Sequence, residues 1–255
     1  MSIFDALLLG VVEGVTEFLP VSSTGHLILL STALGLGQTD FQKSFEIIIQ
    51  LGAIAAVFCL YWKSFLDVEI LKRLLVAFIP TGIIGLMLYS VIKTYLIGNN
   101  AVVLWALVLG GVALIVFEYL HTESESAVSS STQISFKQSA LIGLFQAIAI
   151  VPGVSRSGAT ILGGLLVGLK RTTIVEFSFL LAVPTMLAAV GFDLFKNISS
   201  FSNSDFTVLA VGFVAAFVVA LLAIKFLLQF VRTHTFVPFG IYRILAALVF
   251  WFMIF

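Results

Sequence analysis

Apolar runs separated by short polar turns cover nearly the whole chain and predict five helices in each half. In the first half the predicted helices are Ile3–Leu19, Ser23–Leu36, Lys43–Trp62, Leu74–Tyr95 and Ala101–Leu120. In the second half they are Phe136–Val151, Ser157–Leu169, Ile174–Phe195, Phe206–Phe230 and Pro238–Phe255. A full membrane crossing takes about 20 residues, so the last three helices of each half are long enough to cross, whereas the first two are too short.

The two short helices that open each half predict a re-entrant hairpin, which enters the membrane and returns to the same side. Each half then crosses the membrane three times, and this odd number inverts the second half relative to the first. The expected fold is an all-α polytopic membrane protein, an inverted-topology repeat with six full transmembrane helices and two re-entrant helical hairpins. This single integral membrane domain divides into a first repeat at residues 1–120, a polar linker at 121–135 and a second, inverted repeat at 136–255.

A pair of matching motifs supports this division. VSSTGHLIL at Val21–Leu29 returns as VSRSGATIL at Val154–Leu162, and the same offset brings Gly10 onto Gly143. Each motif places a Ser- and Gly-rich break inside an apolar run. Such breaks are tolerated in a membrane only where the freed backbone is buried in protein or lines a wet cavity. Interrupted segments at matching positions of two halves therefore point to a binding site near the membrane midplane.

Composition restricts the class of protein. Hydrophobic residues make up 60% of the chain, charged residues make up 10%, and the mean hydropathy is +1.18. These values are typical of a polytopic membrane protein and exclude an ordinary soluble domain. The formal net charge is zero, so no basic field for binding nucleic acid is expected. The single cysteine, Cys59, excludes disulfides and cysteine metal sites.

The positive charges of the loops predict an orientation. One side of the membrane receives Lys63, Lys72, Arg73, Lys137, Lys170, Arg171 and Arg232, and the other receives Lys43, Lys93 and Lys196. Because cytoplasmic loops carry the excess of Lys and Arg, the first side is expected to be cytoplasmic. Both chain termini are then expected on the outer side.

Glu13 and Glu17 lie four residues apart on an apolar helix, so both carboxylates project from one face. Like charges at this spacing repel each other, and an ion inside a membrane is costly. We therefore expect compensation by a cation, by a shared proton or by a cationic partner. The alternative is that both acids lie near the outer water, because this helix starts at the chain terminus.

The first break carries hydroxyl groups and a histidine. Ser22, Ser23 and Thr24 are suited to cap the helix that follows. The free backbone N–H groups at this helix start, up to Gly25, favour an anion. His26 follows Ser23 by one turn and can take a proton from a hydroxyl or give one to a leaving oxygen. Alternatively, His26 is a packing residue.

The second break carries a cation. Arg156 takes the place that Ser23 has in the first motif, and Ser155, Ser157 and Gly158 surround it. The planar guanidinium suits a phosphate through paired hydrogen bonds. The alternative is a structural arginine that pairs with one of the two acids, and one group can do both in turn.

The two copies differ in their polar residues. The first copy has Glu13, Glu17, Ser23 and His26 where the second has Gln146, Ile150, Arg156 and Ala159. The first copy therefore supplies the acids, the hydroxyl and the imidazole, and the second supplies the cation. Outside the motifs, Arg243 lies inside the last predicted helix and is expected to pair with a neighbouring helix.

Two long signatures, EGVTEFLPVSSTGH at Glu13–His26 and PGVSRSGAT at Pro152–Thr160, closely resemble those of the bacterial undecaprenyl-diphosphate phosphatase family of the bacitracin-resistance type. The strings FEIIIQLGAIAAV, EFSFLLAVP and PFGIYR are similar to the same family, so the resemblance spans essentially the whole chain. It implies that a polyprenyl diphosphate lipid is hydrolysed to its monophosphate and inorganic phosphate. It also implies a place in the bacterial cytoplasmic membrane.

The resemblance also implies site residues and partners. By position, Glu13, Glu17, Ser23 and His26 match the family's acidic pair, serine and histidine, and Arg156 matches its diphosphate-binding arginine. The family's activity is associated with divalent cations, so Mg²⁺ or Ca²⁺ at Glu13 and Glu17 is expected. Its members are described as dimers, which implies a homodimer.

Two hypotheses for the reaction stay open. Ser23 attacks the phosphate with His26 as base or acid, or water attacks directly and Ser23 only binds. The groups expected to hold the diphosphate head beside Arg156 are Ser22, Thr24, Gly25, Ser155, Ser157 and Gly158. A competing function is transport, because broken helices in inverted repeats also build secondary transporters, and a lipid-phosphate flippase or an anion transporter would use the same site. A purely structural scaffold leaves the clustered charges unexplained.

Overall fold

The computed structural model describes residues 1–37, 39–91, 96, 99–197 and 205–254. The first half of the chain forms α1 (Ile3–Thr16), α2 (Ser23–Ala33), α3 (Asp40–Tyr61), α4 (Val68–Val91) and α5 (Asn100–Leu120). The second half forms α6 (Phe136–Ile148), α7 (Arg156–Leu166), α8 (Arg171–Asn197), α9 (Asp205–Phe230) and α10 (Val237–Ile254). Of the residues named in the predictions, Lys93, Tyr95 and Phe255 lie outside the described ranges.

Helix length separates two groups within the described ranges. Six helices, α3, α4, α5, α8, α9 and α10, are long and apolar enough to cross a membrane. The others open the two halves: α1 and α2 have 14 and 11 residues, and α6 and α7 have 13 and 11. The predicted set of six membrane-length helices is confirmed.

One predicted helix start was wrong. α4 begins at Val68 and not at Leu74, because Asp67 caps its first turn: the Asp67 Oδ1 accepts a hydrogen bond from the backbone N–H of Glu69 at 2.8 Å. The charged residues that the prediction left in a loop continue the helix. Arg73 Nη1 lies 2.8 Å from a carboxylate oxygen of Glu69 one turn earlier. The sequence analysis predicted a loop for these residues because they are charged. In the structure the cap and the ion pair stabilise them as the first turns of the helix.

The two halves are interlocked through their helix contacts. α1 packs against α9, α6 packs against α4, α3 packs against α8 and α9, and α5 packs against α10. Small residues allow this close approach in a membrane protein. A Cβ added to Gly14 of α1 would lie 2.6 Å from the carbonyl oxygen of Ala216 in α9, and one added to Gly143 of α6 would collide with the carbonyl oxygen of Ala77 in α4. The first helix of each half is thus held by a long helix of the other half.

The segment between the halves is attached to its surroundings. The backbone N–H of Val128 donates to the carbonyl of Gly168 at 3.0 Å, and the N–H of Lys170 donates to the carbonyl of Val128 at 2.9 Å. Near its end, Arg73 Nε donates to the carbonyl of Ile134 at 2.5 Å. The segment that the sequence analysis predicts as a polar linker is therefore tied to α4 and to the turn before α8.

Candidate functional site

The two helix breaks fold alike. Ser22, which precedes α2, and Ser155, which precedes α7, have positive φ angles of 72° and 81°. Each Oγ accepts a hydrogen bond from the N–H three residues later, that of Gly25 at 3.4 Å and that of Gly158 at 3.1 Å. A non-glycine residue at positive φ is strained and persists where the surrounding structure fixes it. The caps occupy the Gly25 and Gly158 N–H groups, which the sequence analysis assigned to an anion.

The two breaks meet inside the protein. Arg156 Nη2, from the second break, lies 2.7 Å from Glu17 Oε1, from the end of α1. Ser157 Oγ donates to the carbonyl oxygen of Leu19 at 2.8 Å. The side chains of Arg156 and Glu17 are only 13% and 4% exposed, so each needs the other as a counter-charge. The predicted pairing of Arg156 with one of the two acids is confirmed.

Glu17 also binds the hydroxyl of the first break. Ser23 Oγ donates to Glu17 Oε2, while the other carboxylate oxygen faces Arg156. We call these three side chains the Ser23–Glu17–Arg156 triad. Arg156 Nη1 donates to the carbonyl of Ser178 at 2.8 Å, whereas its buried Nε has no hydrogen-bond partner among the described residues. These two bonds use two of the five N–H groups of the guanidinium, and the Nε–H is a donor that a ligand could satisfy.

A cavity of about 300 Å³ lies beside the triad. Of the residues predicted to form the site, those that line the cavity are Glu17, Ser22, Ser23, Thr24, Ser155 and Arg156. Within the described part of the chain, those that do not line it are Glu13, Gly25, His26, Ser157 and Gly158. The volume lies at the lower end of the range for small-ligand pockets. The cavity thus collects hydroxyl groups from both breaks and the cation of the second break.

Glu13 is buried and does not line the cavity. It is 0% exposed, and neither carboxylate oxygen has a hydrogen-bond partner among the residues that the structure describes. Its electrostatic neighbours include the carboxylates of Glu17 and Glu46 and the guanidinium of Arg156. An unpartnered carboxylate beside a second one requires a proton or a cation. No group of three or more His, Cys, Asp or Glu side chains that suits a metal ion occurs in the described ranges.

His26 faces away from the triad. Its Nδ1 lies 2.8 Å from the carbonyl oxygen of Ser22, and its Nε2 lies 2.9 Å from the hydroxyl of Tyr242 in α10. Since a carbonyl only accepts, Nδ1 carries the proton and Nε2 accepts from Tyr242. The rings of His26 and Tyr242 are stacked, with centroids 5.5 Å apart. The structure therefore brings Ser23 to Glu17 and not to His26.

Arg243 holds the two breaks together, a role that sequence reasoning missed. Its guanidinium is 1% exposed and donates to five backbone carbonyls. Pro20 belongs to the first break, Gly153 and Val154 belong to the second, and the other two acceptors lie in α5. The predicted pairing with a neighbouring helix is confirmed for α5. The contact with both breaks could be found only from the tertiary structure. Every residue has a backbone carbonyl, and the sequence does not show which carbonyls accept from a distant side chain.

Three polar residues of the cavity wall were also missed as site residues. Thr81 in α4, Gln146 in α6 and Thr185 in α8 line the cavity, and their side chains are joined by hydrogen bonds. The available signal was the alignment of Gln146 with Glu13 in the two copies.

The fold and the site together define a multi-pass helical membrane protein in which a cavity with an ion pair in its wall lies where two broken helical segments meet. The chain belongs to the family described as bacitracin resistance protein BacA, whose model matches residues 6–249.

Three relatives, each named undecaprenyl-diphosphatase, match this chain over nearly its full length. The protein of Sulfurihydrogenibium sp. (strain YO3AOP1) is 53% identical over 98% of this chain and 99% of its own length. The protein of Wolinella succinogenes is 51% identical over 99% of this chain and 98% of its own. The protein of Aquifex aeolicus is 50% identical over 98% of each.

Proposed function

We propose that the protein is an undecaprenyl-diphosphatase of the bacterial cytoplasmic membrane, which hydrolyses undecaprenyl diphosphate to undecaprenyl phosphate and inorganic phosphate. This reaction recycles the lipid carrier of cell-wall synthesis and confers resistance to bacitracin. The names and nearly full-length similarity of the relatives support the reaction. The observation that carries the proposal is the Nε–H of Arg156, which has no partner in the described part of the chain and belongs to a guanidinium that lines a cavity beside the Ser23–Glu17 hydrogen bond.

The cavity wall matches both parts of such a substrate. Arg156 and the hydroxyl of Ser22 offer donors to a diphosphate head, and charge-assisted hydrogen bonds to phosphate are strong. Ile150 and Met186 give the same cavity an apolar side, which suits the first units of a prenyl chain. The rest of the lipid then stays in the bilayer while its head reaches the triad.

The triad supplies a route for phosphoryl transfer. Ser23 Oγ bonds the terminal phosphorus, its proton passes to Glu17, and the bond to the bridging oxygen breaks to release the monophosphate lipid. Water then cleaves the phosphoserine and releases inorganic phosphate. Protonated Glu17 no longer holds Arg156 as a counter-ion, so the guanidinium is free to stabilise the charge on the transferring group. In the second route water attacks directly and Ser23 only binds.

His26 has a different role in this proposal from the one that the sequence analysis gave it. Because the Ser23 hydroxyl already faces Glu17, Glu17 takes the proton and His26 acts as a positioning residue. Its Nδ1–H holds the Ser22 carbonyl, and its Nε2 is held in turn by Tyr242. This pair fixes the strained residue next to the nucleophile.

A divalent cation, Mg²⁺ or Ca²⁺, fits the acidic pair. Glu13 and Glu17 would hold it while Glu17 is ionised, before Glu17 takes the Ser23 proton. The support for this fit is that the Glu13 oxygens have no hydrogen-bond partner among the described residues. Mg²⁺ is commonly bound by one or two carboxylates together with substrate phosphates. When bound, the ion would neutralise charge on the phosphate.

The proposal includes the finer architecture. The short helices α1 and α2, and likewise α6 and α7, are re-entrant hairpins of two inverted repeats, with both termini on the outer side. Support comes from the matching Ser22 and Ser155 caps and from the exchanged packing of α1 on α9 and α6 on α4.

The proposal also includes a homodimer as the active form. Sedimentation of the detergent-solubilised protein tests this, and a monomeric, fully active species would contradict it.

The decisive experiment is release of inorganic phosphate from undecaprenyl diphosphate by the purified protein in detergent, where there are no two sides to transport between. Arg156→Ala is expected to lower kcat by about 100- to 1,000-fold, because it removes a donor to the transferring phosphate. Repeating the assay with a chelator tests the cation, with activity expected to fall and to return on adding Mg²⁺ or Ca²⁺.

Arg232→Ala is the matched control, since Arg232 is an exposed arginine in the turn that follows α9. It is expected to keep wild-type turnover. A wild-type protein that releases no phosphate favours the transporter, and an active Arg156→Ala protein removes this site.

A further inference from the structure

Gln146 is a buried polar residue of the cavity wall that the proposed mechanism does not use. It lies in α6, is 1% exposed and lines the cavity together with Thr81 of α4 and Thr185 of α8. Its amide nitrogen lies 2.9 Å from Thr81 Oγ1 and 3.2 Å from Thr185 Oγ1. The residue therefore joins three helices at the cavity.

The two threonines fix which way the amide points. Thr81 Oγ1 donates its only proton to the carbonyl of Gly143 at 2.8 Å, and Thr185 Oγ1 donates its own to the carbonyl of Leu181 at 2.8 Å. A hydroxyl has one proton, so both threonines can only accept from Gln146. The NH₂ group must face them, and a flipped amide would place its oxygen against two oxygens that have no proton left.

In this orientation neither threonine donates a hydrogen bond to the amide oxygen. Gln146 Oε1 is buried and has no hydrogen-bond partner among the described residues. A buried acceptor without a donor is unfavourable and rare in folded proteins. An O–H group that enters the cavity would satisfy it, whereas a fully ionised phosphate oxygen would not, because both are acceptors.

We propose that Gln146 Oε1 accepts a hydrogen bond from an O–H group of the reacting system and so positions that group beside the Ser23–Glu17–Arg156 triad. This inference rests on the proposed function. Two sources offer the same chemistry: the hydrolytic water and a protonated oxygen of a phosphate. Hydrolysis requires one water, whose oxygen bonds phosphorus as a P–O bond breaks and whose protons end on the products. An amide that orients such a water contributes to phosphoryl transfer.

The test compares two glutamines of the same helix in the phosphate-release assay. Gln146→Met keeps the shape and removes the acceptor, and it is expected to lower kcat or kcat/KM by about tenfold, the effect of one lost hydrogen bond. Gln138→Met is the matched control: the Gln138 side chain also bonds a neighbouring segment, the carbonyl of Val167 at 2.9 Å, but caps α6 away from the cavity. It is expected to change stability and leave kcat within twofold.

The kinetic constants separate the two sources. If Gln146 holds the water, kcat falls while KM and the inhibition constant of inorganic phosphate stay within twofold of wild type. If it holds a phosphate hydroxyl, KM and that inhibition constant rise by about tenfold. A folded Gln146→Met protein with all three constants within twofold of wild type overturns the inference.

A second pair of variants covers the case in which Gln146→Met does not fold. Thr185→Val removes one of the two anchors of the amide, and Thr185→Ser restores its hydroxyl. We expect Thr185→Val to lower kcat several-fold and Thr185→Ser to recover it, and equal activity of the two folded proteins contradicts the inference. If the wild-type protein itself releases no phosphate, the proposed function fails. Turnover that is indifferent to these variants removes the role of Gln146 alone.

Discussion

In the structure, Ser23 and His26 have hydrogen-bond partners other than the ones that their spacing in the sequence suggests. The two residues lie one helical turn apart in the chain, which made the histidine the natural base for the serine. In the folded protein the serine hydroxyl donates to Glu17, and the imidazole bridges Ser22 and Tyr242. Tyr242 belongs to α10, at the far end of the chain, so the sequence around His26 does not predict this contact. The hydrogen-bond partner of the imidazole was therefore decided by a contact between distant segments.

Removing the Ser23 hydroxyl tests whether it is the nucleophile. We expect Ser23→Ala to lower kcat by about 1,000-fold or more, because loss of a nucleophile removes the covalent route. Thr32→Ala is the control, since the Thr32 hydroxyl bonds the carbonyl of Ile28 within the same helix.

The measurement is phosphate release together with rapid quenching for phosphate bound to the protein. Bound phosphate in wild type and its loss in Ser23→Ala support the covalent route. A Ser23→Ala protein that keeps a tenth or more of the activity assigns the attack to water.

The short helices depend on close packing against long ones. α6 approaches α4 so closely that Gly143 has no room for a side chain, and Thr81 of α4 donates to the Gly143 carbonyl at 2.8 Å. In a membrane, where lipid is as apolar as leucine, such packing and hydrogen bonding replace the hydrophobic effect as the force between helices. The position of Gln146, one turn later, depends on this contact.

Gly143→Ala is expected to lower the free energy of unfolding by about 1–3 kcal/mol, because the added methyl collides with the Ala77 carbonyl. Gly191→Ala provides the opposite case in α8. A Cβ there meets no atom of the described residues within 4 Å, so stability is expected to stay the same or rise. Unfolding in mixed detergent measures both, and equal losses would argue against the close α6–α4 contact.

The sequence predicted which helices exist more accurately than it predicted the residues at which they begin and end. The two motifs and the long apolar runs predicted all four short helices and the six long ones, because apolar length reports membrane crossing directly. The start of α4 was misplaced, since Asp67 and Glu69 read as loop residues and act as cap and ion-pair partner. Which helix packs on which required coordinates: α1 on α9 joins residues from opposite ends of the chain.

The arrangement of the two halves in the membrane leads to a labelling test. With Cys59→Ser as background, Gly37→Cys marks the exposed turn between α2 and α3, and Ser124→Cys marks the segment between the halves. If the termini are outside, Gly37→Cys is expected to react with a membrane-impermeant maleimide in intact cells. Ser124→Cys is expected to react only after permeabilisation. The reverse pattern contradicts the proposed orientation, and labelling of both without permeabilisation contradicts the odd number of crossings.

By itself the sequence determined the membrane class, the number of long helices, the two matching breaks and the residue types gathered at them. These follow from local composition, because the bilayer imposes a length on every crossing and a cost on every buried charge. Only the tertiary structure decided which polar groups meet. It paired Arg156 with Glu17, turned His26 towards Tyr242 and placed Arg243 against the carbonyls of both breaks. It also left Gln146 Oε1 without a partner among the described residues. Hydrogen bonds join atoms within about 3 Å whatever their separation along the chain, so these contacts exist only once the halves are interlocked.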